Sequence, residues 1–173
     1  MRIISIGLRN ATLALLCGLL IGCGLESSPD QAAQSPSGRP VSHVAPRNAD
    51  GGAIRIASFN IQVFGQAKLD KPHVMETLAE VVRRFDVVAI QEVRSKEQNV
   101  LPTFLEIINR NGSQYDFVLG PRQGRTVSKE QYAYVYNAAV LELIPDSVYV
   151  VPDPQDLLHR PPLVAGFRVR GPP

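Results

Sequence analysis

At 173 residues the chain has room for one domain, and a hydrophobic content of 45% suits a globular core. Eighteen Lys and Arg against sixteen Asp and Glu give a formal charge of only +2, too little for a general electrostatic pull on DNA or anionic lipid. The two cysteines, Cys17 and Cys23, lie near the N-terminus, which excludes a disulfide framework and a Cys-based zinc site from everything that follows.

In chain order, residues 1–22 open with Arg2 and Arg9 and continue into an apolar run over residues 11–21. This is a charged segment followed by a stretch too short for a comfortable membrane span, the pattern of an export signal. The run ends in Leu20-Ile21-Gly22-Cys23, which resembles the lipobox of bacterial lipoproteins. That resemblance implies a signal peptide over 1–22 and lipidation of Cys23, where several acyl chains on one residue give stable anchoring. An ordinary secretory signal and an uncleaved anchor are the alternatives. Without Arg2 and Arg9 the basic and acidic residues balance at sixteen each. Gly24, rather than Asp, after the cysteine points to the outer membrane if the cell is Gram-negative. The expected location is therefore export and lipid anchoring to the bacterial cell envelope. Residues 23–52, rich in Ser, Pro, Gly, Gln and Ala, read as the lipidated cysteine and a tether that cannot bury enough surface to offset chain entropy.

A folded region is expected from 53 to 173. Residues 54–61 form a β-type run, and Gly65 begins a loop. Asp70 before Pro72 suits a helix start, and Val74, Leu78, Val81, Val82 and Phe85 supply its apolar face. Arg83 and Arg84 complement the C-terminal dipole of that helix. Residues 86–91 read as a second buried strand. A second helix spans about residues 99–110, with Leu101, Phe104, Leu105 and Ile108 inward, and Asn111-Gly112 stops it. Strands follow at 115–119, 132–136, 139–144 and 163–169, with 148–151 extending the sheet. The expected fold class is α/β, one sheet with helices on one face and nothing evident to cover the other.

Chemistry concentrates at two strand ends, Ser58-Phe59-Asn60-Ile61-Gln62 and Gln91-Glu92-Val93-Arg94. Asn60 and Glu92 emerging side by side offer a carbonyl oxygen and a carboxylate, hard ligands for Mg²⁺. Equally, they could cap loops. These two segments carry a resemblance to DNase I and its relatives in the endonuclease/exonuclease/phosphatase superfamily. Phe59-Asn60-Ile61-Gln62 followed by Val63-Phe64-Gly65 is similar to that family's opening motif. Residues 85–94 are similar to its metal-carboxylate strand. Gly124-Arg125, Lys129-Glu130-Gln131-Tyr132 and Arg160-Pro161-Pro162 resemble later segments.

The resemblance implies a DNase I-like four-layer α/β/β/α sandwich, of which this chain is expected to hold only the first α/β half. It implies a metal-dependent endonuclease acting on DNA, with Mg²⁺ or Mn²⁺ as cofactor and structural Ca²⁺ as a further expectation. Glu92 would bind the catalytic metal. Asn60 would hold the scissile phosphate or assist the metal, and Glu130 would orient a catalytic histidine. Arg94 would reach the DNA groove, Arg160 would grip a backbone phosphate, and Arg125 is a further substrate contact. Outside the resemblance, Arg94 and Arg125 read equally as exposed surface charges, and Glu130 taken alone reads as part of a solvated face. Ser128 stands where DNase I has a groove-inserting tyrosine. The family's later Gly-Asp-x-Asn and Ser-Asp-His motifs do not occur, and His73 and His159 lie in other contexts. This chain alone is therefore expected to be inactive. The alternatives are a non-catalytic phosphate- or partner-binding lipoprotein and a phospholipid or phosphoinositide phosphodiesterase of the same superfamily.

Overall fold

The computed structural model describes residues 2–6, 12–16 and 53–171. Cys23 and the tether expected over 24–52 lie outside the described residues. Two stretches within the expected leader are described as strands, β1 (Arg2–Ile6) and β2 (Thr12–Leu16). The remaining elements are β3 (Ile54–Phe64), α1 (Gln66–Leu69), α2 (Pro72–Val82), β4 (Val87–Val93), α3 (Val100–Asn109), β5 (Tyr115–Leu119), β6 (Gln131–Asn137), β7 (Leu141–Leu143), β8 (Tyr149–Val150) and β9 (Leu163–Val169).

The first sheet has the order β1-β3-β4-β6-β5. β3 and β4 run parallel, joined by α1 and α2, whereas β6 is antiparallel to both β4 and β5. β4 is buried along nearly its whole length, as a strand covered on both faces must be. One face carries Ala57, Ile61, Val88, Ile90, Ala133 and Val135 against Met75, Ala79 and Val82 of α2 and Leu101, Phe104 and Ile108 of α3. Phe64 meets Phe104 edge-on at 5.2 Å.

The other face is covered as well, which corrects the expectation of a bare half-sandwich. β9, β7 and β8, with β2 along the outer edge of β9, form a second sheet. Leu141, Leu163, Ala165 and Phe167 pack against Ile54, Ile56, Val87, Ala89, Tyr132, Tyr134 and Tyr136. The tyrosines alternate with Ala133 and Val135, as the two-residue strand period requires. Phe167 contacts Tyr134 and Tyr136 at ring distances of 5.9 and 5.0 Å. The Tyr134 hydroxyl donates to the Leu163 carbonyl at 2.8 Å. Segments 139–144 and 148–151 thus belong to the second sheet and do not extend the first. The described residues form three layers, α/β/β, and none of their helices lies on the outer face of the second sheet.

Local departures have physical reasons. The loop after Gly65 contains α1, and Asp70 closes that turn, so Lys71 and not Asp70 precedes Pro72 of α2. The fully buried face of α2 is Met75, Ala79 and Val82, with Leu78 and Val81 at its margin. Arg83 serves α3 rather than its own helix. Its Nε and Nη2 donate to the carbonyls of Ile108 and Ile107 at 2.8 and 2.6 Å, satisfying acceptors that a helix end leaves open.

If the second sheet is part of the core, Phe167→Ala removes its central aromatic plug. The expected loss is about 3–5 kcal/mol of unfolding free energy, the usual range for such a cavity. Chemical denaturation measures it, and an unchanged midpoint would restore the one-sheet reading.

Candidate active site

The site arises where an apolar face runs out. On β3, Ile54 and Ile56 face the second sheet, and Ser58 and Asn60 continue the same side as exposed polar residues. On β4, Val87 and Ala89 give way to Gln91, whose amide donates to Ser58 Oγ at 3.1 Å. On β6, read backwards, Tyr136, Tyr134 and Tyr132 lead to Glu130, just before the strand. Parallel pairing of β3 with β4 and antiparallel pairing of β6 place all three polar termini at one end of the sheet, where ligand sites of such folds form.

Both β3 and β4 lose regular register at this end, between Asn60 and Phe64 and between Ile90 and Val93. Gln62, Val63 and Glu92 have φ of 37°, 55° and 62°. Positive φ in a β-branched residue costs on the order of 1–3 kcal/mol and persists only where surroundings enforce it. Here the flanking Ile61 and Phe64 are buried and anchor the distorted turn. The distortion turns the Val63 N–H toward Glu92 Oε2, to which it donates at 2.9 Å. Asn60 Nδ2 donates to Glu92 Oε1 at 2.9 Å, and Asn60 Oδ1 accepts from the Gln62 N–H at 2.8 Å. Gly65 closes the turn. A Cβ there would lie 2.5 Å from the Arg94 carbonyl, so the two strand ends approach as closely as they do only with glycine.

These contacts hold the Glu92 carboxyl below the usual glutamate range. The Asn60 hydrogen bond is the largest cause. Partial burial opposes it, and the Val63 N–H, Arg94 and Arg160 add to it. Arg94 Nη2 lies 4.0 Å from Glu92 Oε2 and is bonded to Glu130 Oε1. Arg160 Nε lies 3.1 Å from Glu130 Oε2. The structure thus brings together Asn60, Glu92, Arg94, Glu130 and Arg160. Arg125 stands apart from that cluster. It pairs with Asp156 across the loops and is about half exposed.

A divalent ion fits part of this donor set. Mg²⁺ takes one or two carboxylates and fills its remaining positions with water and substrate oxygens. Glu92 is ionised, and the Asn60 amide lies alongside it. Among the described residues no three His, Cys, Asp or Glu side chains converge on one point. His73 opens α2 and His159 lies exposed before β9, and no hydrogen bond of the described residues joins either imidazole to the cluster.

The sequence profile of the Endonuclease/Exonuclease/phosphatase family matches residues 57–171, which carry this site and, apart from β1, β2 and the start of β3, the strands of both sheets. The chain belongs to that family. It is 36% identical over 118 residues to deoxyribonuclease-1-like 2 of Mus musculus, covering 68% of this chain and 42% of that protein. Identity to deoxyribonuclease gamma of Homo sapiens is 32% over 123 residues, covering 67% and 40%. Identity to deoxyribonuclease-1-like 1 of Sus scrofa is 36% over 117 residues, covering 66% and 36%. The chain spans about two fifths of the length of these relatives. As a member of this family it carries Asn60 and Glu92 at the joint end of its two parallel strands. The Val63 N–H, bonded to the same carboxylate, has no signature in the sequence.

Asn60→Ala removes the largest cause of the lowered Glu92 pKa, so the Glu92 titration is expected to move up toward the ordinary glutamate range. Side-chain carboxyl ¹³C shifts followed against pH measure it. The stability contributed by the ionised form is present above the unfolded-state pKa and is lost as pH falls through the lower folded-state pKa. In the variant that contribution is smaller, and its loss, which still begins at the unfolded-state pKa, is complete at a higher pH.

Proposed function

We propose that this chain forms the metal- and phosphate-binding wall of a DNA phosphodiester hydrolase. The observation that carries this reading is the ionised Glu92, held by Asn60 and the Val63 N–H beside Arg94 at the shared end of β3 and β4. The deoxyribonuclease names of its relatives support DNA as the substrate class. Glu92 and Asn60 would hold Mg²⁺ or Mn²⁺, which when bound offsets phosphate charge and stabilises the oxygens of an in-line displacement. Arg94 and Arg160 would contact non-bridging phosphate oxygens, and Arg125, held on its own loop by Asp156, a phosphate further along the strand. No hydrogen bond among the described residues joins an imidazole to this cluster, and on this proposal the acceptor of the attacking water's proton comes from outside it, so the chain by itself is expected not to turn over.

The test uses the whole chain with Mn²⁺ and a fluorescent DNA duplex. Paramagnetic broadening should centre on the amides of Asn60, Val63 and Glu92 and vanish in Glu92→Gln. Duplex binding should require Mg²⁺ and weaken about tenfold in Arg94→Ala, the loss of one charge-assisted contact. Broadening elsewhere, or a preference for phosphoinositide vesicles over the duplex, overturns the reading. Nicking of supercoiled plasmid that Glu92→Gln abolishes would place the proton acceptor within this chain.

We also propose that the chain is exported and anchored to the cell envelope through lipid on Cys23, supported by the Leu-Ile-Gly-Cys sequence. Metabolic labelling with a tagged fatty acid should mark the wild type and leave Cys23→Ser unlabelled. Equal labelling of both rejects the anchor.

A further inference from the structure

The resemblance in sequence gives Glu130 a histidine for a partner, whereas the structure surrounds it with arginines. Its side chain is 8% exposed, and each carboxylate oxygen faces a different guanidinium. Oε1 accepts from Arg94 Nη2, and Oε2 lies 3.1 Å from Arg160 Nε. The two arginines come from separate elements, the end of β4 and the loop before β9, and keep outward portions 32% and 23% exposed. Each has little else to hold it. Arg94 Nε and Arg160 Nε are both buried without a hydrogen bond, the latter meeting Glu130 as an ion pair only, and Arg160 Nη2 makes a long bond of 3.4 Å to the Ser128 carbonyl. Glu130 is itself fixed by backbone, because its N–H and carbonyl exchange hydrogen bonds with Gln123 at 2.9 and 2.7 Å. A buried anion on an isolated backbone bridge thus ties two long, entropically costly side chains into one cluster.

We infer that Glu130 is a positioning residue that sets Arg94 and Arg160 together as a two-guanidinium clamp for one phosphodiester phosphate. This rests on the proposed phosphodiester chemistry of the site and assigns Glu130 a role there through the two arginines that it faces. The clamp has a built-in cost, since Glu130 competes with phosphate for the same positive charge. Positioning outweighs that competition, and the sign of one measurement tests this.

The measurement is a titration of the whole chain with inorganic phosphate, read on the Nε–Hε signals of Arg94 and Arg160 by ¹⁵N NMR. In the wild type both signals should shift together along one saturable curve. Glu130→Gln keeps the shape but accepts on only one oxygen, so it should hold one arginine. One signal should then lose its dispersion, and phosphate affinity should fall about tenfold, the loss of one charge-assisted hydrogen bond. Glu130→Ala should collapse both signals and weaken phosphate further, and backbone amides of β4 and β6 report in the same spectra that the sheet is intact. Unchanged or tighter phosphate binding in Glu130→Gln overturns the inference, because Glu130 would then be a competitor for the cations. Mn²⁺ broadening at Glu92 is independent of this result, so a failed clamp and a failed metal site are separately visible.

Discussion

Parallel pairing of β3 with β4 is the constraint on which the site depends. Two parallel neighbours end at the same edge of a sheet, so Asn60 and Glu92 meet although a helical crossover separates them in sequence. The antiparallel β6 then begins where they end and delivers Glu130 to the same place. The backbone distortions at Gln62, Val63 and Glu92 are local consequences, tolerated because Ile61 and Phe64 on either side are locked in the core. A regular ladder would leave the Val63 N–H in the plane of the sheet, where it could not serve the Glu92 carboxylate. Strain in the backbone and order in the carboxylate are two sides of one arrangement.

The same three strands show how a core becomes a site without a change of architecture. Facing the second sheet, each strand reads apolar or aromatic for two or three alternate positions and then polar for the last. The second sheet covers the first part through Phe167, Ala165 and Leu163 and leaves the last part uncovered. Tyr134 sits at the transition, packing its ring on Phe167 and giving its hydroxyl to the Leu163 carbonyl. An aromatic with a polar tip satisfies both environments, which explains three tyrosines in one strand without any role in binding bases.

Much of this was legible in the sequence, and the failures are instructive. The strands holding Asn60 and Glu92 were readable because a run of buried residues ends abruptly in polar ones, and both helices followed from their apolar period. The second sheet is not legible in the sequence because β7 and β8 are only three and two residues long. Segments that short carry no signal about which sheet they join. The buried stripe of α2 was misplaced because Met75 and Ala79 announce burial less strongly than Val74, while the actual stripe is set by contact with α3 and the sheet. By its place in the sequence Arg83 belongs to the end of α2, yet its long side chain reaches the carbonyls of α3. Glu130 was legible as a site residue by resemblance, but its pairing with Arg94 and Arg160 depends on three loops meeting, and spacing along a chain does not encode that.

Charge ties the site back to the composition. A nearly neutral chain gains nothing from its overall field when it meets a polyanion, so recognition must come from a few groups in fixed positions. At this site Glu92 and Glu130 balance Arg94 and Arg160, leaving no net charge before a cation binds. An ion pair as buried as Glu130's is weak evidence for stability, since desolvation offsets most of the attraction. Geometry is the stronger reason for such a pair. Two flexible cations lose less freedom on meeting a phosphate if a buried carboxylate has already ordered them. Separately, Glu92 is kept ionised by an amide and a backbone N–H, with Arg94 adding a smaller share. Its charge therefore stays available for a cation while the arginines remain available for the phosphate. On the proposed function, that division would let a cation and a phosphate be held within one small, electrically balanced surface.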